Sequence, residues 1–356
     1  MTSKEIILAA LRKKPEERYG CFEQFWKEVL REDCWGKKGY PVGISPEIYF
    51  DLDINLVGGW FETDSFIGVN EIIEQNSEWE ITKSGSGQIM KRYKDKTGVP
   101  EHISFELTGP EIWNKKYREP LLSLDRRRLD FEGIRRYMAL ARQNKKCAVL
   151  CGSFIMEISR NKIGDENFLP ATLLEPEWIK DFFRVYTDFC IRHWECLFKE
   201  VGKPDAMWVF DDMAYKNGPF MSPDSMRELI LPYWKEYLDY FHSNGLPVFL
   251  HSCGDVRKCM PLIIEAGFDC LYPMEAKAGV DVIELAREYK DKIDLPFFIM
   301  TRADSIIDED KIKLLKETGC VTIGIGVESG NENIRMKLLN KKIPNYNTVR
   351  EMQEKL

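Results

Sequence analysis

The sequence predicts an α/β fold, a (β/α)8 TIM-type barrel with an N-terminal extension that contains helices and a β-hairpin. From about residue 130, short apolar segments alternate with amphipathic segments of helical spacing. The short segments are apolar throughout, which is typical of parallel strands covered on both faces. A doubly wound open sheet is the alternative. It would require a G-x-G-x-x-G turn after its first strand, and "LCGSFIMEI" does not contain one.

The first 110 residues are irregular and rich in aromatic side chains. "EQFWKEVLRE" and "GPEIWNKKYREPLLS" predict helices. "WEITKSGSGQIMKRYKDKTG" predicts a β-hairpin, because its Ser-Gly-Ser-Gly segment supplies the permissive backbone of a turn. We expect residues 1–110 to form the extension and the first barrel elements, and residues 111–356 to form the remainder of the same domain.

The later elements alternate regularly along the chain. A long amphipathic helix is predicted over "EPEWIKDFFRVYTDFCIRHWECLFKEVG", and the next helix enters at Ser-Pro and stops at Asn-Gly. The predicted strands, in order, are "KCAVLCGSF", "DAMWVFDD", "LPVFLHS", "FDCLYPME", "LPFFIMT" and "VTIGIGV". Each is separated from the next by a predicted helix, as in successive βα units of a barrel.

Composition excludes several classes of function. A net charge of -7 and a pI near 5.5 are unlike the basic patches of nucleic-acid-binding proteins. No apolar run approaches the ~18 residues of a membrane-spanning helix, and the N-terminus lacks the long apolar region of a signal peptide. The ten cysteines include no CxxC pair, so we expect packed thiols in a cytoplasmic protein. A homo-oligomer is compatible with this composition.

Polar side chains follow the predicted strands where catalytic groups of a barrel are found. His251 and Cys253 are two residues apart at the end of one strand, so both can face the same side. Imidazole nitrogen and thiolate sulfur are ligands that zinc takes, and the sequence therefore predicts a zinc site here. The other polar residues at strand ends are Asp211, Asp212, Asp255, Glu275, Arg302 and Glu328.

Other candidate ligands have a simpler structural interpretation. His193 and Cys196 are three residues apart on the long amphipathic helix, where a packing or surface role is expected. Cys147 and Cys151 belong to a strand that should be buried, so packing is expected for them too. Of the neighbours Asp211 and Asp212, one is predicted to be a buried ligand or acid and the other a loop cap.

The segment from "GKPDAMWVFDD" through "LPVFLHSCGDVRKC" to "IELAREYKDKI" resembles the uroporphyrinogen decarboxylase superfamily, and more narrowly its cobamide-dependent methyltransferase branch. The resemblance runs from about residue 20 to residue 293. It implies that His251 and Cys253 hold Zn²⁺. It also implies that a methyl group moves between a corrinoid carried by a partner protein and a small-molecule methyl donor or acceptor.

The chain departs from that family in two places. The arginine-rich signature of the decarboxylases, similar to RQAGR, is absent, so decarboxylation of a porphyrinogen is not expected. The cysteine that the family carries after its last strand is also absent, since Cys320 precedes that strand. We therefore expect Glu328 as the third zinc ligand, with Asp212 or Glu275 as substitutes. Asp212, Glu275 and Arg302 are the predicted catalytic residues.

The last sixty residues, including "VTIGIGVESG", resemble the closing βα units of radical S-adenosylmethionine enzymes. The CxxxCxxC motif that binds the iron–sulfur cluster of those enzymes is absent, so no radical chemistry is expected. Two alternatives to the zinc methyltransferase stay open at this point. One is a metal-independent decarboxylase or lyase that uses Asp212 and Arg302, and the other is a non-catalytic corrinoid-binding protein.

Overall fold

A computed structural model describes residues 1–11, 20–23, 25, 30–95, 100–275, 278–280, 297–301, 309–318 and 320–325. Helix α1 (Ser3–Leu11) is the first element of the chain. Helix α2 (Pro46–Tyr49) follows, and strand β1 (Ile54–Leu56) then enters the main sheet. Most of "EQFWKEVLRE" lies outside the described residues.

An antiparallel sheet comes next in the chain. Its four strands are neighbours in sequence order: β2 (Asn70–Gln75), β3 (Trp79–Ser84), β4 (Gln88–Tyr93) and β5 (Glu101–Phe105). The predicted hairpin is confirmed, since β3 and β4 pair with Thr82 opposite Met90. Gly87 has a φ of +79°, a left-handed conformation that glycine adopts without strain. The sequence did not predict the two outer strands, whose side chains are largely exposed.

Short helical turns connect this sheet to the repeating part of the chain, including α3 (Pro110–Ile112) and a π-helical turn at Trp113–Tyr117. The helices that follow are α4 (Phe131–Gln143), α5 (Ile155–Ile163), α6 (Asp165–Leu174), α7 (Pro176–Val201), α8 (Pro223–Leu229), α9 (Leu231–Ser243), α10 (Met260–Ala266) and α11 (Glu309–Glu317). The strands are β6 (Cys147–Ser153), β7 (Ala206–Phe210), β8 (Ala214–Tyr215), β9 (Gly218–Pro219), β10 (Val248–His251), β11 (Cys270–Glu275), β12 (Phe297–Thr301) and β13 (Cys320–Ile325).

The main sheet is parallel and follows the order of the chain. Its seven strands are neighbours in the order β1-β6-β7-β10-β11-β12-β13. A doubly wound sheet would reverse direction at a switch point, and this order contains no reversal. The sheet curls as a half-barrel. Among the described strands no pairing joins β13 to β1, so the α/β class is confirmed while closure into a (β/α)8 barrel is not.

Alternate residues of the strands face two different hydrophobic layers. On the outer face, side chains such as Leu150 and Leu250 pack against the helices. On the inner face, Trp208 and Tyr272 pack together with residues of α1 and with Phe22. Residues of α1 thus cover part of the inner face.

The buried thiols agree with the packing role predicted for them. Cys147 and Cys151 lie on the inner face of β6 and are inaccessible to solvent. Within the part of the chain that the structure describes, no helix is both long enough and apolar enough to cross a membrane.

Candidate metal centre

The end of β10 presents His251 on the inner face of the sheet. Its imidazole stacks on the ring of Phe210 from the neighbouring strand, with centroids 4.3 Å apart and an interplanar angle of 24°. The chain leaves the strand at His251, and the sulfur of Cys253 lies 3.6 Å from the Nε2 atom of His251. The two side chains therefore lie side by side, as their spacing in the sequence predicts.

Asp212 brings a third potential ligand to the same place. This residue follows the end of β7, and its Oδ1 atom lies 3.8 Å from Nε2 of His251. The same oxygen accepts a hydrogen bond of 2.8 Å from the backbone N–H of Cys253. Ligand atoms of Asp212, His251 and Cys253 all lie within 4.8 Å of one another, and all three side chains are half-buried.

These three groups fit a zinc ion. Tetrahedral ligands at about 2.3 Å for sulfur and about 2.05 Å for nitrogen lie about 3.6 Å apart. This is the observed separation of Cys253 Sγ and His251 Nε2. Two nitrogen or oxygen ligands would lie about 3.4 Å apart, so the 3.8 Å between Asp212 Oδ1 and His251 Nε2 would have to shorten by about 0.4 Å. Three protein ligands with an open fourth position are typical of catalytic zinc sites.

The imidazole is held by stacking rather than by a second hydrogen bond. Its Nδ1 atom is buried and has no hydrogen-bond partner among the described residues. Burial lowers the pKa of His251, although the charges of Asp212 and Glu275 oppose this effect. The neutral ring is the form that binds a metal.

The thiol of Cys253 lies in an environment that opposes its ionisation. Burial raises its pKa to about 12, and the negative charges of Asp212 and Glu275 act in the same direction. Without a bound cation the group is therefore a thiol at neutral pH. A divalent cation at this position would reverse the balance, because it stabilises the thiolate directly.

Glu275 and Gly254 fix the loop that carries Cys253. Glu275, the last residue of β11, accepts a hydrogen bond of 2.7 Å from the N–H of Gly254 through its Oε2 atom. Gly254 has a φ of +88°, and a Cβ atom there would lie only 2.6 Å from the carbonyl carbon of Ala214. The loop thus needs glycine at this position, both for its backbone angle and for its close approach to β8.

Asp211 and Asp212 have different surroundings. Asp211 is fully buried, and its two oxygens accept hydrogen bonds from the indole N–H of Trp234 and from the N–H groups of Met156 and Glu157. It therefore caps the N-terminus of α5. Burial raises the pKa of Asp211 to about 7, while the hydrogen bond from Trp234 acts in the opposite direction. Asp212 is the member of the pair that faces the candidate ligands.

Sequence reasoning did not identify Glu157. This residue lies in the first turn of α5, just beyond the end of β6, and its Oε1 atom accepts a hydrogen bond of 2.8 Å from Asn161. Burial raises the pKa of Glu157, and the charge of Asp212 raises it further. Because Glu157 follows the end of a strand, the rule that selected the other candidate residues could also have selected Glu157.

The remaining candidates lie elsewhere. Arg302 and Glu328 are outside the described residues, so their roles stay predictions. Cys320 begins β13 and is buried, at the amino end of the strand as the sequence indicated. His193 is buried, and its Nδ1 lies 2.7 Å from the carbonyl oxygen of Phe189. Cys196 instead lies near Arg126, so these two residues do not form a shared site.

The central part of the chain is similar to a known protein family. Residues 154–294 match the family model described as uroporphyrinogen decarboxylase (URO-D). They include β7, β10 and β11, and therefore Asp212, His251, Cys253 and Glu275. No curated protein matches the chain.

One solved structure has a similar fold over the length of the chain. A methyltransferase from Methanosarcina mazei is similar over 100% of this chain and 99% of its own, with 14% identity and a TM-score of 0.65. The family match agrees with the resemblance to the uroporphyrinogen decarboxylase superfamily that the sequence predicts. The likeness to the solved structure shows a shared fold.

Two other solved structures match less well. The 3-keto-D-glucoside 4-epimerase YcjR of Escherichia coli in its apo form has 10% identity and a TM-score of 0.33, covering 63% of this chain and 82% of its own. The YdjI aldolase of Escherichia coli K12 has 14% identity and a TM-score of 0.23, covering 61% and 79%. Similarity this low does not bear on the fold or the function of this chain.

Proposed function

We propose that this protein is a zinc-dependent methyltransferase that moves a methyl group between a corrinoid on a partner protein and a small-molecule donor or acceptor. The observation that carries the proposal is the 3.6 Å separation of Cys253 Sγ and His251 Nε2, with a carboxylate oxygen of Asp212 3.8 Å from the same nitrogen. The match of residues 154–294 to the URO-D family model and the structural likeness to a methyltransferase support it.

His251, Cys253 and Asp212 would hold the zinc ion. Bound there, zinc would lower the pKa of a thiol or hydroxyl group of the substrate and so make it a better nucleophile. Phe210 orients the imidazole by stacking, and Glu275 fixes the Cys253 loop through Gly254. Asp212 and Glu275 are also suited to position the substrate and to receive its proton, since both lie at the open end of the strands.

For a thiol acceptor, the reaction replaces the bond between the methyl carbon and cobalt by a bond between the methyl carbon and sulfur. The acceptor sulfur loses its proton and forms a bond to the methyl carbon. The bond between that carbon and cobalt breaks, and the cobalt of the corrinoid keeps the electron pair. The ring centroids of Trp60 and Phe210 are 4.6 Å apart, and Trp60 is still more than half exposed. The exposed indole next to the candidate ligands therefore offers a surface that a large partner could contact.

A transfer assay tests the proposal. The protein is given free methylcobalamin and a small thiol, and loss of the methyl–cobalt absorption is followed. We expect turnover by the wild type, loss of at least 100-fold in Cys253→Ala, and loss on chelation that added zinc reverses. Cys259→Ala is the matched control, because Cys259 is buried beside Met226 and does not reach the site.

Two results would overturn the proposal in favour of the alternatives. Activity on a small carboxylic acid that survives exhaustive chelation would indicate a metal-independent decarboxylase or lyase. Binding of a corrinoid without transfer to any thiol, alcohol or amine would indicate a non-catalytic corrinoid-binding protein.

A further inference from the structure

The parallel pairing of β7 and β10 changes character where the two strands end. Phe210 pairs with His251 at the last register position, and the N–H of Asp211 still donates to the carbonyl oxygen of His251 at 3.0 Å. The next two hydrogen bonds between these chain segments use the side chains of Asp212 and Ser252 as acceptors in place of backbone carbonyls. These two side chains therefore determine how the loops after β7 and β10 lie against each other.

The two side-chain hydrogen bonds run in opposite directions. The N–H of Cys253 donates to Oδ1 of Asp212 at 2.8 Å, and the N–H of Met213 donates to the hydroxyl oxygen of Ser252 at 3.1 Å. Ser252 and Met213 are both fully buried. Because a buried backbone N–H requires an acceptor, the hydroxyl of Ser252 holds the backbone that directly follows Asp212.

Asp212 thus lies between two anchored neighbours in the chain. On one side, the buried carboxylate of Asp211 accepts hydrogen bonds from an indole of α9 and from the N-terminus of α5. On the other side, Met213 is held by Ser252. The carbonyl oxygen of Met213 accepts a hydrogen bond from Phe220, but both residues belong to the segment between β7 and α8. That bond therefore does not connect Met213 to β10.

The position of Asp212 matters because one of its oxygens meets both other candidate ligands. The Oδ1 atom that accepts the hydrogen bond from Cys253 also lies 3.8 Å from Nε2 of His251. Binding of one zinc ion requires this separation to shorten by about 0.4 Å. Residues that orient a metal ligand in this way typically contribute a factor of about 10 to 100 to metal affinity.

We propose that Ser252 is a positioning residue of the candidate metal centre. Its buried hydroxyl holds the N–H of Met213 and so keeps the carboxylate of Asp212 within reach of the ion that His251 and Cys253 would bind. The inference rests on the proposed function, because it assigns Asp212 to the zinc ligands. Ser252 itself does not contact the ion.

A further bond keeps the two loops together when the hydroxyl is removed. The N–H of Asp255 donates to the carbonyl oxygen of Tyr215 at 2.9 Å. This contact lies three residues beyond Asp212 in one loop and three residues beyond Ser252 in the other. Loss of the Ser252 hydroxyl should therefore release the backbone next to Asp212 and leave the protein folded.

The test measures the Kd for zinc by competition with a chromophoric chelator. Ser252→Ala should raise the Kd by about tenfold or more, and Ser252→Thr, which keeps the hydroxyl, should stay within about threefold of the wild type. Ser159→Ala is the matched control. Ser159 is also fully buried, and its hydroxyl donates to the carbonyl oxygen of Ile155 inside α5 at 2.6 Å, so its loss should leave the Kd unchanged.

A double-mutant cycle shows whether Ser252 acts through Asp212. In a protein that already carries Asp212→Ala, the change Ser252→Ala should raise the Kd by less than about twofold, because no carboxylate is left to position. Loading with Co²⁺ gives a second measurement. The sulfur-to-cobalt charge-transfer absorption should persist in Ser252→Ala, since Cys253 remains a ligand.

The possible results separate this inference from the proposed function. Zinc binding by the wild type with an unchanged Kd in Ser252→Ala would overturn the inference alone. The same holds for an equal rise of the Kd in Ser159→Ala, for an equal effect of Ser252→Ala with and without the Asp212 carboxylate, and for a Ser252→Ala protein that does not fold. A wild type that does not bind zinc would overturn the inference together with the proposed function.

Discussion

The sulfur of Cys253 and the Nε2 atom of His251 lie 3.6 Å apart, although only Ser252 separates the two residues in the chain. His251 is the last residue of β10, and Cys253 lies in the loop that follows, so the conformation of this loop determines the distance between the two atoms. That loop is held by the N–H groups of Cys253 and Gly254, which donate to Asp212 and Glu275. Neighbouring strands therefore set the geometry of the two candidate ligands.

Replacing each of the adjacent aspartates by asparagine should affect a different property of the protein, stability for Asp211 and zinc binding for Asp212. Asp211→Asn removes a buried acceptor of three hydrogen bonds and should lower the free energy of unfolding by about 2–3 kcal/mol. Asp212→Asn should change stability by less than about 1 kcal/mol but weaken zinc binding by about tenfold or more. Urea unfolding and a competitive zinc titration measure the two quantities on each variant. Equal zinc affinities in the two variants would contradict the roles assigned here.

Gly254→Ala should destabilise the protein more than the same change at another glycine of positive φ. Gly254 has both a φ of +88° and a backbone atom 2.6 Å from the added Cβ, so we expect a loss of about 3 kcal/mol or more. Gly267 has a φ of +99°, but the nearest atom to its Cβ is 3.8 Å away, so Gly267→Ala should cost only about 1–2 kcal/mol.

Chemical unfolding of Gly254→Ala and Gly267→Ala tests whether the positive φ alone, or also the close contact with Ala214, makes Gly254→Ala destabilising. If close approach matters, Gly254→Ala should also weaken zinc binding, since the loop that carries Cys253 must shift. Equal losses of stability in the two variants would show that the contact with Ala214 is unimportant.

His242 should give a pH-dependent contribution to stability. The hydrogen bond of 2.9 Å to Asp269 raises the pKa of His242 above its value in the unfolded chain. A raised pKa means that the pair stabilises the fold fully below the unfolded pKa of about 6.5, and that this stabilisation is lost as the pH rises through the folded pKa. Because the pair is partly exposed, its contribution should stay below about 1 kcal/mol.

The variant His242→Gln measures this contribution. The wild type should exceed the variant in stability at about pH 5.5, and the difference should vanish at alkaline pH. Asp269 also accepts a hydrogen bond from the N–H of Val248, which the variant keeps. A stability difference that does not change with pH would contradict the assignment of the charge to His242.

Periodic apolar segments and strand-end residues were enough to predict most of the fold and part of the site. The βα alternation predicted the parallel sheet, and the i, i+2 spacing predicted that His251 and Cys253 lie side by side. The antiparallel sheet was only half predicted, because β2 and β5 expose their side chains and lack an apolar pattern.

Contacts between distant strand ends were not predictable from one sequence. The difference between Asp211 and Asp212 depends on Trp234 and on the N-terminus of α5, which approach Asp211 only in the folded chain. Glu157 follows the end of β6, so the strand-end rule could have included it, but its closeness to Asp212 depends on β6 and β7 being neighbours in the sheet. Residues that act together through the fold need not share any pattern along the chain.

The zinc content of the purified protein tests the central claim most directly. Metal analysis after reconstitution with zinc and removal of the excess should find about one zinc ion per chain in the wild type and in the control Cys259→Ala. It should find much less in His251→Ala and in Cys253→Ala. A wild type without stoichiometric zinc, or full zinc content in both ligand variants, would contradict the metal centre.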